Sequence, residues 1–303
     1  MSIIRKVLNN PLIVLAHTLS AFSRLVKSDR KYIEWMYFFR FGKRLDLSNP
    51  KTFNEKLQWL KLFYRKREFS KLVDKYEVKS FIREHSNILT IPTIAVYDKI
   101  EDIDINALPN SFVIKTTHDS GGYSICRDKK HFDWNQAKLK LTRSLKHNYY
   151  LEGREYPYKH VKPRIIVEKY MVDESGYELK DYKFFCFGGK VYCFKIDFGR
   201  STVHHANYYD REYHLLSLGE TICPPQPNAN MKFPNNLQEM IREAEKLSKG
   251  FPFLRVDFYN INNDIYFGEL TFYPNGGMGK FIDKEWNEKL GSLIKLPKAI
   301  IDD

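Results

Sequence analysis

Two predicted β-hairpins lie in the second half of this chain of 303 residues. Gly188-Gly189 separates the first pair of apolar runs, and glycine pairs favour the tight turns of hairpins. A helical pattern of apolar residues, at about 237–249, lies between the two hairpins. The sequence therefore predicts an α+β fold, with strands at about 180–187, 190–197, 253–259 and 264–272.

The segment before residue 91 has helical periodicity instead. Thr52 and Glu55 have the spacing of a capping box, in which their side chains bind the free N–H groups at a helix start. A further helix is predicted at about 71–84, and it would place Lys75 and Lys79 on one face. From residue 91 the pattern predicts strands at 93–97, 111–115, 123–126 and 164–168 and a helix at 132–148.

Positive charge is concentrated in residues 1–90, which contain 19 Lys and Arg against 8 Asp and Glu; the rest contains 30 against 29. Such an excess suits nucleic acid, an anionic membrane surface or phosphorylated ligands. No recognised nucleic-acid-binding motif accompanies it, so we expect no nucleic-acid partner. The apolar stretch at 11–22 has about half of the ~20 residues that span a bilayer. It predicts either a membrane-surface helix or a helix packed on the body.

The first candidate site is a short loop between two strands. Lys115 ends the first strand, and Ser120, Gly121 and Gly122 follow in a polar turn. Glycines let backbone N–H groups approach a phosphate closely, and a lysine supplies the positive charge. The loop returns into a strand, unlike a Walker A loop, so it would cover phosphates as a flap. The alternative is an ordinary hairpin turn with an exposed lysine.

The second candidate site lies in the last hairpin. With a turn centred on Asn263, Asp257 would face Glu269 across the two strands. Like charges in that position destabilise the pair, so they call for a cation, and Mg²⁺ binds carboxylates together with phosphate oxygens. Arg255, two residues before Asp257, could stabilise a phosphate or a developing negative charge. The alternative is a slipped register with one carboxylate in solvent.

The third candidate is an apolar strand that ends in polar residues. Its exposed backbone groups would suit the edge of an adenine, and the residues concerned are Glu168, Lys169, Tyr170 and Met171. Asp181 and Lys183 alternate onto one sheet face, where they could reach a ribose hydroxyl and a phosphate.

A further group of residues is expected to contact substrate. Adjacent His204 and His205 would point to opposite sides of an extended chain and have no third ligand nearby in sequence, which disfavours zinc. A loop that contacts substrate is the preferred interpretation of this segment. The candidates for substrate contact are Arg154, Arg200, His204 and Asn275.

Taken in order, these segments resemble the TupA-like ATP-grasp family, named after teichuronopeptide biosynthesis. The resemblance covers about residues 50–296 and is carried by the stretches 51–60, 71–76, 112–122, 148–150, 153–155, 162–168, 179–187, 255–259 and 267–272. It implies an ATP-grasp fold, in which two α+β subdomains, 51–168 and 169–303, clasp a nucleotide. A basic helical segment, 1–50, precedes them.

The resemblance also implies roles for individual residues. Lys115 and an earlier lysine, Lys75 or alternatively Lys79, would bind ATP, and Lys183 and Arg255 would act in catalysis. Asp257 and Glu269 match the magnesium carboxylates. The chain reads Glu269-Leu-Thr271 where many ATP-grasp ligases have Glu-x-Asn, so the number of magnesium ions stays open.

The activity implied is that of an ATP-dependent carboxylate–amine ligase. It would modify a bacterial surface polysaccharide, such as a uronic-acid-containing capsule, with an amino acid. The alternatives are a kinase that stops after phosphoryl transfer, or a basic nucleic-acid- or membrane-binding protein with a degenerate ATP-grasp body. Four irregularly spaced cysteines indicate a reduced, cytoplasmic protein, and the basic segment 1–50 could contact the inner face of the membrane.

Overall fold

The computed structural model describes residues 11–176, 179–199 and 203–302. They form a six-stranded sheet, a four-stranded sheet and a two-stranded ribbon, with helices around them. The predicted α+β class is therefore confirmed. Among these residues no helix combines the length and the hydropathy that crossing a bilayer requires.

The first helices of the described residues are α1 (Pro11–Ala21) and α2 (Asp29–Phe41). The Ser28 side chain caps α2 by accepting a hydrogen bond from the backbone N–H of Lys31. Gly42 ends α2 in the left-handed conformation, with φ of 68°. Buried Tyr32 and Ile33 pack with Leu62 of the next helix, so α2 is attached to the body.

Three helices follow, α3 (Phe53–Phe63), α4 (Phe69–Val73) and α5 (Val78–His85). The predicted capping box of Thr52 and Glu55 is present at the start of α3. The single helix predicted at 71–84 is wrong, because the chain turns between α4 and α5. The Asp74 carboxylate causes this turn by accepting hydrogen bonds from the backbone N–H groups of Tyr76 and Glu77.

The four-stranded sheet is antiparallel throughout and has the order β3-β6-β4-β5. Its strands are β3 (Thr93–Tyr97), β4 (Phe112–Thr116), β5 (Tyr123–Cys126) and β6 (Ile165–Lys169). Helix α6 (Trp134–Lys146) covers it by inserting Leu141 against Phe112 and Ile114. The short helix α7 (Tyr149–Gly153) follows.

The six-stranded sheet has the order β2-β11-β10-β7-β8-β9. Its strands are β2 (Leu89–Thr90), β7 (Asp181–Phe187), β8 (Lys190–Phe198), β9 (His205–Tyr209), β10 (Phe253–Ile261) and β11 (Asp264–Thr271). One face buries Phe184, Phe194 and Phe258, whose rings pack on one another. Helix α8 (Leu237–Leu247) contacts β7, β8 and β10.

The C-terminal segment returns to the front of the chain. Helix α9 (Glu285–Leu293) packs on α3, and β12 (Ile300–Ile301) pairs in parallel with β1 (Tyr64–Arg65). Residues of α3, α4 and α5 share one hydrophobic core with the six-stranded sheet, while the four-stranded sheet has its own. Residues 51–90 thus pack mainly with the C-terminal part of the chain. The predicted boundary at residue 169 stays a prediction.

The last hairpin has the predicted pairing of Asp257 with Glu269, but a β-bulge produces it. The turn lies at Asn262 and Asn263, so Ile261 pairs with Asp264. That turn alone would pair Asp257 with residue 268. The register shifts by one residue beside Asp257, and Gly268 occupies the bulge. A Cβ on Gly268 would lie 2.9 Å from the carbonyl oxygen of Asp257.

We expect Gly268→Ala to lower the free energy of unfolding by about 1–3 kcal/mol, because the added methyl group meets backbone that cannot move freely. Urea unfolding measures this. Gly250→Ala is the control, since Gly250 has positive φ but open space around its Cβ position. It reports the cost of a side chain at positive φ without a steric contact, about 1–2 kcal/mol, whereas Gly268 is not at positive φ and its loss is steric. An unchanged stability of Gly268→Ala would show that the bulge is not sterically determined.

Candidate active site

One face of the six-stranded sheet is charged. The register places Asp257, Lys183 and Lys195 side by side across β10, β7 and β8. All three are buried. Since the opposite face of the sheet forms the apolar core against α8, this charged face is where polar chemistry is available.

Lys183 is the centre of the charged face. Its Nζ lies 2.8 Å from Oδ2 of Asp257, 3.3 Å from Oδ2 of Asp181 and 3.6 Å from Oδ2 of Asp197. Burial opposes charge on the ammonium group, but the neighbouring carboxylates outweigh it and raise the pKa of Lys183 above its ordinary value. Lys183 is therefore a fixed cation that holds three strands' carboxylates together.

Arg255 joins the two carboxylates that were predicted to bind metal. Its Nε donates to Oδ1 of Asp257 at 2.7 Å, and its Nη2 donates to Oδ2 of Asp257 at 2.6 Å and to Oε1 of Glu269 at 2.7 Å. Nη2 also donates to Oγ1 of Thr271 at 3.0 Å. One guanidinium nitrogen thus contacts both carboxylates and the hydroxyl of Thr271.

Asp257 and Glu269 fit a divalent cation by the same geometry, because their oxygens converge on a single cationic atom. Mg²⁺ prefers one or two carboxylates together with phosphate oxygens and water. The Glu269 side chain is 53% exposed, which leaves it accessible to such further ligands. Asp257 and Glu269 are therefore the residues that would hold such an ion.

Glu168, near the end of β6, pairs with two lysines. Its Oε2 lies 2.6 Å from Nζ of Lys115, and its Oε1 contacts Nζ of Lys79. Burial raises the pKa of Glu168, but the two ammonium groups outweigh burial and hold it below its ordinary value. Lys79 also donates to the carbonyl oxygen of Ile91 at 2.7 Å and to Oγ1 of Thr93 at 2.8 Å.

Lys75 lies in the turn between α4 and α5, not on the predicted helix face. Its backbone N–H donates to the carbonyl oxygen of Thr117 at 3.1 Å, and its ammonium group donates to the carbonyl oxygen of Asp119. Burial and then the charge of Lys115 lower the pKa of Lys75, while the charges of Asp119 and then Glu269 oppose this.

The loop after β4 is pinned at its base. The Asp119 carboxylate accepts hydrogen bonds from Oγ1 of Thr116, at 2.5 Å, and from the hydroxyl of Ser144 on α6. A Cβ on Gly122 would lie 2.0 Å from Oγ of Ser144, so a larger residue there would break this contact.

The tip of the same loop is exposed. Ser120 and Gly121 reach solvent, and Gly121 has φ of +91°, which favours glycine. Burial and then the charge of Glu155 raise the pKa of nearby Tyr149 above its ordinary range, while Ser120 lowers it. The loop thus combines a fixed base with an open tip, as a flap over phosphates requires.

The polar end of β6 contains the predicted adenine site. The backbone N–H of Lys169 donates to the carbonyl oxygen of Pro92 at 3.0 Å, and the Tyr170 hydroxyl accepts a hydrogen bond from Nε of Arg127 at 3.1 Å. Met171 is half-buried. The adenine role of these residues stays a prediction.

The four substrate candidates have different surroundings. His204 lies with its Nε2 3.7 Å from Oδ1 of Asp197, and Nδ2 of Asn275 donates to Oε1 of Glu220 at 2.7 Å. Lys195 connects the two, because its Nζ is 3.6 Å from Asp197 and 3.1 Å from Glu220. His204 and Asn275 thus adjoin the charged face.

Arg154 and Arg200 do not join that group. Arg200 lies outside the described residues. The Arg154 side chain is buried and donates to Oδ1 of Asp29 at 3.2 Å and to the carbonyl oxygens of Ser23 and Val26. The expectation that Arg154 contacts substrate is corrected here, since its guanidinium holds the N-terminal helices on α7.

The side chain of His204 lies close to two other groups that can bind a metal ion. A carboxylate oxygen of Asp197, a ring nitrogen of His204 and Sγ of Cys223 lie within 4.8 Å of one another. Sequence spacing alone could not reveal this set, because its members come from three separate segments. Asp197 is the single carboxylate of the set, and the ammonium groups of Lys183 and Lys195 already lie near it.

Sequence reasoning also missed charged residues that surround the site. Lys195 and Asp197 could have been found from strand alternation, since β8 follows Lys183 through a tight hairpin. The buried pair of Lys61 and Glu155 had no such signal. Burial, opposed by the Lys61 charge, raises the pKa of Glu155 to about 7, and Lys61 donates to the carbonyl oxygens of Gly153 and Gly276.

Lysines paired with carboxylates on two sheets, with a glycine loop after β4, indicate a nucleotide-binding class of protein, and the family match gives the fold as ATP-grasp. Residues 55–295 match the family model described as TupA-like ATPgrasp. The chain therefore belongs to the TupA-like ATP-grasp family, as the sequence predicted.

Solved structures resemble the chain distantly. D-Alanine-D-alanine ligase from Helicobacter pylori is 15% identical over 82% of this chain and 68% of that chain, with a TM-score of 0.44. The enzyme from Bacillus anthracis is 18% identical over 66% of this chain, with a TM-score of 0.39, and the match spans only 57% of that ligase. N5-carboxyaminoimidazole ribonucleotide synthetase is 17% identical over 80% of this chain and 56% of that chain, with a TM-score of 0.44. No curated protein sequence matches the chain.

We expect the Asp257 carboxylate to make stability depend on acid pH. Burial raises its pKa, but Arg255 and Lys183 outweigh burial and hold the pKa at about 2, against 3.8 ordinarily. A lowered pKa stabilises the fold above the ordinary value, and this contribution, about 2 kcal/mol, is lost as pH falls from about 4 to 2.

Urea unfolding of wild type and Asp257→Asn between about pH 6 and pH 2 measures this contribution. The variant should be less stable at the higher pH, and the difference should shrink as acid protonates wild-type Asp257. Asp264→Asn, at the exposed end of the same hairpin, is the control. A difference that stays constant across this range would contradict the assigned pairing.

Proposed function

We propose that this protein is an ATP-dependent carboxylate–amine ligase that forms an acyl phosphate and then an amide. The observation that carries the proposal is that two groups of charged side chains lie on the two sheets. Lys75, Lys79 and Lys115 surround the flap and β6, and Arg255 and Lys183 with their carboxylates lie on the facing sheet. Burial and then the charge of Lys115 lower the pKa of Lys75 while the charge of Glu269 raises it, which supports an arrangement with the two groups side by side.

ATP would lie between the two sheets. Lys115 and Lys75 would neutralise its phosphates, and the flap residues Ser120, Gly121 and Gly122 would cover them with backbone N–H groups. The end of β6 would bind adenine through Glu168, Lys169, Tyr170 and Met171. Asp181 would accept a hydrogen bond from the ribose, and Lys183 would bind a phosphate.

Asp257 and Glu269 would hold Mg²⁺, which when bound neutralises charge on the phosphates. Arg255 contacts both of these carboxylates, so it would lie beside the reacting groups. Its guanidinium would stabilise negative charge on the oxygens of the reacting carboxyl group.

The reaction needs no side-chain nucleophile. A substrate carboxylate oxygen would form a bond with the γ-phosphorus while the bond from that phosphorus to ADP breaks. The amine nitrogen would then form a bond with the acyl carbon, and phosphate would leave as the carbon–oxygen bond breaks and the amine loses a proton. Arg255 and Lys183 contribute by positioning and charge stabilisation.

We propose a surface polysaccharide with uronic acid groups as the carboxylate substrate and an amino acid as the amine. Membership of the TupA-like family supports this proposal. His204 and Asn275 would contact substrate, since both adjoin the charged face through Lys195 and its carboxylate partners.

The test is release of ADP with uronic-acid glycans and a panel of amino acids, with products identified by mass spectrometry. Lys115→Ala and Glu269→Gln should each lower turnover by about 10²–10³-fold, because each removes preorganised charge. Exposed Lys146→Ala and Glu239→Gln are the matched controls and should keep wild-type turnover.

Each other outcome has a defined meaning. Full turnover by Glu269→Gln would contradict the metal assignment. ADP with a phosphorylated product and no amide would identify a kinase. Failure of wild type to bind Mg-ATP, measured by calorimetry, would contradict the enzyme proposal itself.

A further inference from the structure

The two N-terminal helices expose an unusual set of large apolar side chains. Phe22 and Leu25, in the connection between α1 and α2, are 58% and 76% exposed. Leu15 on α1 and Trp35 and Phe38 on α2 are also exposed. Several large apolar side chains exposed within one short segment are typical of interaction sites.

Helix α2 has one face that is firmly attached to the body. Tyr32 and Ile33 are buried, and the Tyr32 hydroxyl donates to the carbonyl oxygen of Glu152 at 2.8 Å. Asp29 accepts from Nη2 of Arg65 at 2.9 Å and from Arg154. Because this face is fixed to the body, the opposite face of α2 must point toward solvent.

The outward face of α2 combines aromatic and basic residues. Lys31, Trp35 and Phe38 have i, i+4 and i+7 spacing, which places them on one stripe, and all three are exposed. Trp is enriched where a surface meets both apolar and polar surroundings, such as the headgroup level of a bilayer.

The same segment has a strong positive charge. Residues 11–44 contain seven Lys and Arg and two Asp and Glu. Both acids are already paired, Asp29 with the inward arginines and Glu34 with Arg30 at 2.9 Å. Within the described residues no ion pair involves the remaining exposed basic residues Arg24, Lys27, Lys31, Lys43 and Arg44.

We propose that this surface, formed by Leu15, Phe22, Leu25, Trp35 and Phe38 with the basic residues around them, binds an anionic lipid bilayer. Apolar side chains would enter the headgroup region while Lys and Arg contact lipid phosphates. A polyanion such as nucleic acid or an acidic glycan would satisfy the basic residues but leave the apolar side chains in water. The bilayer is the occupant that satisfies both sets.

The membrane surface connects with the active-site loops. Nε of Arg40, at the end of α2, donates to the carbonyl oxygen of Met278 at 3.2 Å, three residues after Asn275. Bilayer binding would therefore place the substrate side of the site near the membrane surface. The binding itself does not depend on the proposed catalytic activity.

The test uses the full chain and flotation with two kinds of vesicle, phosphatidylcholine alone and phosphatidylcholine mixed with phosphatidylglycerol. Wild type should float with the anionic vesicles and remain unbound with the neutral ones. Phe22→Ser/Leu25→Ser and Lys27→Glu/Lys31→Glu should each reduce bound protein at least about tenfold. Leu139→Ser, an equally exposed apolar residue on α6, is the control and should bind as wild type does.

Thermal unfolding of every variant verifies that binding is lost without loss of the fold. The proposal is overturned if wild type does not float, or if the serine variants float as well as wild type. It is also overturned if soluble heparin or nucleic acid binds wild type and the serine double variant equally while vesicles do not, since this would make the surface a purely electrostatic polyanion site. These results are independent of ADP release.

Discussion

The charged face of the six-stranded sheet depends on the contact between Lys183 and Asp257. Charges removed from water are costly unless each has partners, and the loss of one partner leaves the other charge uncompensated. Lys183 contacts three carboxylates on three strands, and Arg255 completes the set around Asp257. The register of β7, β8 and β10 is therefore constrained by electrostatics on one face and by aromatic packing on the other. A slip of one residue would exchange the two faces.

Local sequence patterns predicted most strands and helices because hairpins and capped helices depend on near neighbours. The pairing of Asp257 with Glu269 was predicted from an incorrect turn position. The turn lies at Asn262 and Asn263 and is not centred on Asn263, which alone would shift the pairing by one residue. The bulge at Gly268, which was not predicted, shifts the register back by one residue and restores the predicted pair. Steric contact with the carbonyl of Asp257 explains the glycine, and such a contact can be recognised only when both strands are in place.

The residues whose roles were missed depend on contacts distant in sequence. Asp74 ends α4 because its carboxylate binds the following backbone and Arg164, 90 residues later, so Lys75 reaches the flap from a turn. Arg154 adopts a left-handed conformation, with φ of 53°, while its guanidinium contacts Asp29 and the backbone before α2. Neither arrangement produces a periodic pattern in the sequence from which it could be predicted. The family resemblance named Arg154 as part of a matching stretch, but it could not distinguish a ligand contact from a structural one.

The positive charge of the first 90 residues divides between two environments. Lys61, Lys75 and Lys79 are drawn inward, where burial lowers the pKa of each and carboxylates or carbonyl oxygens receive their N–H groups. Arg24, Lys27 and Lys31 remain outside beside exposed apolar side chains. Net charge alone cannot separate these groups, because it counts a buried lysine and a surface lysine equally. Burial separates them. The inward lysines require an oppositely charged or polar partner within a few ångströms, whereas the outward lysines and arginine are hydrated and their interactions are screened by salt.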